Sequence, residues 1–249
     1  MAEHFQTLGK KVILVGRTES KLERARSNLE SRRKDGVEVK YYVQDTGKVS
    51  ELGTLVERVM KENPDVDCLI NNAGVQRPLE LDGLELEKAD NEIDINIRGP
   101  IHLATLFLPH LKKKPVGVII NVSSVLGFLP YSIINPVYNG TKAFVHFWTM
   151  TQRVQLSKPY PNLRVVEVVP PSVGTDLHRE RSNPDDNKKH LGAVNSLTVQ
   201  EFIQQFSKGL EMDLDTISAG RGIPLVQRWY SEFGDEFESY AEKYQGYKA

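Results

Sequence analysis

The chain has 249 residues, 39% of them hydrophobic, enough to bury a large core, and α/β domains of this length are commonly single units, so one domain over 1–249 is expected. Its 32 basic and 33 acidic residues leave a formal charge of −1, which provides no electrostatic footprint for nucleic acid or an anionic membrane surface. The single cysteine, Cys68, rules out a disulfide within the chain, no apolar run approaches the ~18 residues that cross a bilayer, and the first residues lack a signal-peptide pattern, so a cytoplasmic protein is expected.

Residues 2–8 read as the end of a helix stopped by Gly9. The apolar run 12–15 reads as a strand ending in Gly16 and Arg17. A helix follows from about Ser20, where Ser20 and Glu23 have capping-box spacing and Leu22, Ala25 and Leu29 keep one apolar face. Residues 37–43 read as the next strand, ending at Gln44 and Asp45, and after a helical stretch the strand 66–70 runs into Asn71, Asn72, Ala73 and Gly74. Residues 117–122 form a β-branched run that delivers Ser123 and Ser124. From about Pro136 the pattern is helical, and 163–169 is another apolar strand. A polar stretch over 179–190 precedes a helix from Thr198, a short strand over 216–219 and a last helix from about Pro224. In that helix Trp229, Tyr230, Phe233, Phe237 and Tyr240 recur at helical spacing, as core packing or a subunit interface would require. Alternating strands and helices imply an α/β fold, a doubly wound parallel sheet with helices on both faces. Ligands then sit outside the C-terminal strand ends, where Arg17, Asp45, residues 71–74 and Ser124 fall.

The chemistry concentrates on the serine pair and the helix after it. Tyr138 and Lys142 are four apart and share a helix face, so a hydroxyl from Ser124, a phenol and an ammonium can converge on one small polar group. A second Tyr-x-x-x-Lys, Tyr244 to Lys248, lies in a polar tail with Gly246 inside it and no serine-bearing strand before it. Spacing alone therefore decides nothing, and context selects the first match. His178 and His190 do not make a metal site by spacing, and no metal is expected.

Asn-Asn-Ala-Gly at 71–74, Asn-x-x-Gly at 96–99, the serine pair and Tyr-x-x-x-Lys, in this order, resemble the short-chain dehydrogenase/reductase family over nearly the whole chain. The resemblance implies a Rossmann-like fold and an oxidoreductase that interconverts a carbonyl and an alcohol on a small molecule. Tyr138 would be its general acid/base, Lys142 would favour the phenolate and bind the nicotinamide ribose, Ser124 would orient the substrate oxygen, and Asn96 would hold a water. For Asn96 a helix-kink role, satisfying backbone groups, is the competing reading. Arg17, where an acidic side chain would select NAD, points to the 2′-phosphate of NADP. Asp45 would meet the adenine, unless it is a turn residue. Asn71, Asn72, Ala73 and Gly74 would line the cofactor's path, and Val173 and Thr175 would touch the carboxamide. Residues 176–200 would form a substrate lid, Gln76 and Arg77 stand beside the substrate or in a surface turn, and a homo-oligomer is compatible with the family.

The departure is at the front. The family begins with a strand and a glycine-rich turn that holds the pyrophosphate, and roughly 20 to 25 such residues have no counterpart here. That strand would be central, between the strands at 12–15 and 66–70, and its loss would leave two unpaired edges and a marginal fold. Two other readings therefore stand beside an NADP-dependent oxidoreductase: a truncated, inactive relative or binding protein, and an epimerase or dehydratase on the same scaffold.

Overall fold

A computed structural model of the chain describes residues 1–32, 38–244 and 246. Helix α1 (Ala2–Thr7) ends before Gly9, whose φ of 74° suits glycine at a turn into β1 (Val12–Gly16). Helix α2 (Glu19–Ser31) starts two residues earlier than a Ser20 capping box would place it. Thr18 occupies the N-cap without a side-chain cap bond, so the Ser20–Glu23 spacing is not a box. Strand β2 (Val39–Val43) follows; Val37, expected to open it, lies outside the described residues. Then come α3 (Leu52–Glu62), β3 (Cys68–Asn71), α4 (Leu86–Ile93), α5 (Gly99–Leu111), β4 (Gly117–Val122), α6 (Pro136–Ser157) and β5 (Leu163–Val169). Helix α7 (Val199–Glu211) carries the capping box between Thr198 and Glu201, β6 (Thr216–Ser218) follows it, and α8 (Gly222–Lys243) closes the order.

All strand pairs are parallel, with β1 on β2 and, separately, the order β3-β4-β5-β6. The fold is Rossmann-like, and the sheet is divided between β1 and β3, where the resemblance placed the missing strand and its two unpaired edges. Among the described residues no strand bridges β1 and β3, whose edges face a cavity of about 970 Å³ lined by Ile13, Leu14, Leu69 and Ile70. The Lys11–Asp65 pair, 2.5 Å apart, ties the N-terminal side of β1 to the segment entering β3, so the two edges start from the same end. Half-buried Cys68 forms part of that wall, and burial pushes its thiol up to about 12.

Alternation along the central strands builds one core on each face. Ile119 and Val165 pack with Leu52, Val56, Phe107 and Leu111 of α3 and α5, while Ile120, Val166 and Val168 pack with Phe202 and Phe206 of α7 and Ile217 of β6. This two-sided burial explains why β4 and β5 are runs of valine and isoleucine. Among the described residues no helix is long and apolar enough to cross a membrane.

Candidate active site

Ser124 follows β4 in extended conformation, and its Oγ accepts the Leu126 N–H at 3.1 Å, capping a short turn over Val125–Gly127. That turn lies against α6 so closely that a Cβ on Gly127 would sit 2.5 Å from the Lys142 carbonyl oxygen. Pro136 opens α6 in its first turn, where a missing N–H costs nothing. Tyr138 and Lys142 project from one face of that helix, with the Lys142 Nζ 5.5 Å from the centre of the Tyr138 ring. Lys142 donates to the Val122 carbonyl at 2.8 Å, tying the helix to the end of β4.

Both groups are almost fully buried, and their electrostatics follow from that. Burial lowers Lys142 to about 8, against a smaller opposing pull from Glu92. Burial also pushes the Tyr138 phenol upward, helped by the Glu92 charge and opposed by a hydrogen bond with Ser124. Lys142 stands beside the phenol, where an ammonium favours the phenolate, while burial of the pair acts in the opposite sense on Tyr138.

Ser124, Tyr138 and Lys142 line one cavity of about 1180 Å³ together with Asn72, Gly74, Val173 and Thr175. The small residue at 74 matters, since a Cβ there would lie 3.4 Å from Asn96 Oδ1 and 3.8 Å from Lys142 Nζ. The other expected cofactor contacts are placed elsewhere. Asn71 points within the sheet, donating to Asn121 Oδ1 at 2.8 Å, and Ala73 faces the gap between β1 and β3. Arg17 and Asp45 sit 3.9 Å apart at the ends of β1 and β2, outside this cavity, and Asp45 also closes a turn by accepting the Gly47 N–H at 3.0 Å. Arg17 keeps a side chain that is 46% exposed.

Asn96 lies in a π-helical turn, Asp94–Arg98, between α4 and α5. Its side chain bonds both backbone groups of Val75 at 2.9 Å and donates to Thr141 Oγ1 at 3.1 Å. The side chain thus braces the loop after Gly74 against α6.

Three features escaped the sequence reading. Glu92 on α4 is fully buried, its carboxylate oxygens make no hydrogen bond within the distance and angle of a good one among the described residues, and burial raises it to about 7 against the pull of Arg77, its charge and its backbone N–H. Beneath the site, Ser123 Oγ donates to Glu167 Oε1 at 2.5 Å and His146 Nδ1 bonds Glu167 Oε2 at 3.0 Å, all three buried. His146 is one turn beyond Lys142, and Trp229 of α8 packs on its ring at 4.7 Å. A glutamate between the valines of β5 was the available signal for this cluster. Finally, the 176–200 segment is latched to the site: Arg77 pairs with Glu180 at 2.9 Å, and Arg181 donates to Gln76 Oε1 at 2.9 Å and Asn135 Oδ1 at 2.8 Å. Gln76 and Arg77 are buried rather than in a surface turn. Among the described residues no group of three or more His, Cys, Asp or Glu side chains is placed to hold a metal ion.

The sequence profile of the family described as short chain dehydrogenase matches residues 1–186. The chain is 34% identical over 240 residues, 96% of its length and 89% of the relative's, to an uncharacterized oxidoreductase, DltE, of Bacillus subtilis. Among solved structures it is similar to a short-chain dehydrogenase from Sphingobium yanoikuyae in complex with NADPH, with a TM-score of 0.80 and 24% identity, covering 100% of this chain and 92% of that one. It is also similar to a short chain dehydrogenase/reductase from Burkholderia phymatum in complex with NAD, with a TM-score of 0.78 and 21% identity, covering 94% and 89%.

Proposed function

Since this chain belongs to the short-chain dehydrogenase family, we propose that it is an NADP-dependent oxidoreductase that interconverts a carbonyl and an alcohol on a small molecule. The observation that carries this reading is the convergence of Ser124, Tyr138 and Lys142 on one cavity. The nicotinamide end of the cofactor fits the residues present: Gly74 leaves room for close approach, Lys142 would hold the ribose, and Val173 and Thr175 would line the carboxamide. Asn72 would line its path, and Asn71 and Ala73 would support that loop from behind. Arg17, half-exposed at the end of β1, would pair with the 2′-phosphate, with Asp45 beside the adenine.

When bound, the nicotinamide supplies or accepts the hydride. Tyr138 holds the proton that reduction delivers to the carbonyl oxygen, because burial keeps the phenol protonated. Ser124 donates a hydrogen bond to that oxygen and fixes its position. Lys142, charged below about pH 8, places a positive group beside the phenol and stabilises the phenolate left after transfer. Asn96 positions the loop at Gly74 and the start of α6. Segment 176–200 acts as a substrate lid, held down by the Arg77–Glu180 and Arg181 contacts.

Carbonyl-dependent oxidation of NADPH, assayed with a panel of ketones and aldehydes and with NADH in parallel, tests the reading. We expect turnover with NADPH and a weaker rate with NADH; no carbonyl-dependent oxidation of either nucleotide would overturn it. One observation favours a second reading, a relative that does not transfer hydride: no described strand or glycine turn stands between β1 and β3 to hold a pyrophosphate. Failure of NADPH to bind would select that reading.

A further inference from the structure

The charge around the cavity specifies more about the substrate than its carbonyl. Arg221 at the N-cap of α8, Leu225 and Arg228 stand at i, i+4 and i+7, so they share one helix face, and all three line the cavity that holds Ser124, Tyr138 and Lys142. Arg179 and Arg181 line it as well. In a chain of formal charge −1, one cavity thus gathers Lys142 and four arginines, and among the described residues Asp176 is the only carboxylate in its lining. Asp176 faces Lys188 at 3.2 Å. Arg181 is committed to Asp186 at 2.7 Å and to Gln76 and Asn135.

Arg221 and Arg228 have no such commitment. Both are exposed, and among the described residues their guanidinium groups make no ion pair and donate no hydrogen bond. The helix end does not need them, because the first-turn N–H groups of Gly222 and Ile223 donate to Ala219 and Gly220 at 2.9 and 3.2 Å, and Pro224 has none. Two planar five-donor groups on either side of Leu225 therefore face a shared space with nothing of the chain's own to bind. Guanidinium groups recognise carboxylate oxygens by paired, charge-assisted bonds.

We propose that Arg221 and Arg228 bind a carboxylate carried by the substrate, so that the molecule converted is an oxo acid or its hydroxy acid. Leu225, Val125 and Leu126 cover the carbon skeleton between that carboxylate and the carbonyl held at Ser124 and Tyr138. The inference rests on the oxidoreductase reading for the identity of the carbonyl, but the anion site is testable without turnover.

The experiment is calorimetric titration of the full chain with acetoacetate and, separately, methyl acetoacetate, which differ in the carboxylate charge. We expect acetoacetate to bind about tenfold tighter, with the preference weakening as salt is raised. In the Arg221→Gln/Arg228→Gln double variant the preference disappears while ester binding is unchanged, and Arg221→Lys/Arg228→Lys keeps part of it. Both positions are exposed, so thermal unfolding of the variants should match the parent. Equal affinity for acid and ester overturns the proposal, as does a preference that survives in the glutamine variant. Displacement of acetoacetate by 2′,5′-ADP also overturns it, since the arginines would then serve the nucleotide. Absence of hydride transfer with the anion preference intact would sink the oxidoreductase reading and leave this site standing.

Discussion

Glu92 offers the sharpest test of the site's electrostatics, because its carboxyl is fully buried and among the described residues makes no well-formed hydrogen bond. Burial raises it from an ordinary 4.5 to about 7, Glu180 adds to the rise, and Arg77 and Lys142 oppose it. A carboxyl whose folded value lies above its unfolded value binds more protons in the folded state between the two. Stability is then fully present below about pH 4.5 and falls as pH rises toward about 7. The interval corresponds to about 3 kcal/mol. Glu92→Gln removes the ionisation and keeps the shape, while its new amide costs the same at every pH. We therefore expect the variant to gain on the parent by about 2–3 kcal/mol between pH 4.5 and pH 8. Urea unfolding followed by circular dichroism at intervals of half a pH unit measures the difference. Parallel stability curves for parent and variant would show that Glu92 is solvated or ion-paired in the folded state, and the electrostatic description of Tyr138 and Lys142 would fall with it.

Other outcomes follow from named contacts. Gly127→Ala places a methyl against the backbone of Lys142 and should cost ~1–3 kcal/mol in denaturant unfolding; an unchanged midpoint would show that the turn does not press on α6. Phe206→Ala empties the core beneath β5 and β6 and should cost ~3–5 kcal/mol in the same assay, with a cost below ~1 kcal/mol refuting the packing. Arg17→Glu should weaken NADPH binding relative to NADH in a fluorescence titration, and an unaltered ratio would remove Arg17 from nucleotide choice. In native-state hydrogen exchange, the amides of β4 and β5 should be protected longest, and those of β1 and β3 that face the gap should exchange faster.

The sequence was most informative where a period and a local rule coincided. Val118, Ile119, Ile120 and Val122 before Ser123 marked β4, and a spacing of four put Tyr138 and Lys142 on one face of α6. Strand alternation announced the Rossmann-like layers. The family resemblance added where the sheet would be interrupted, between the strands at 12–15 and 66–70, and β1 and β2 do stand apart from the other four strands there. The latch between Arg77 and Glu180 joins residues 103 apart, so neither end signals the other. Glu92 was hidden for a different reason: it stands among Glu87, Asp90 and Asp94, and in such company an acidic residue reads as solvated. Glu167 was more legible in principle, since a carboxylate within the run Leu163–Val169 must find donors, and it finds Ser123 and His146. The cofactor residues divide along the same line. Gly74, Val173 and Thr175 reach the cavity from the loops after β3 and β5, whereas Asn71, the last residue of β3, bonds Asn121 within the sheet and Ala73 lines the gap between β1 and β3.

The most direct test of the central claim is single-turnover oxidation of NADPH by the parent chain and by Tyr138→Phe, with a carbonyl substrate that the parent reduces. We expect the variant to bind NADPH as the parent does while its rate falls by ~10²–10⁴, because only the proton at the phenol is lost. A variant that keeps its rate would contradict the account by removing Tyr138 from the chemistry.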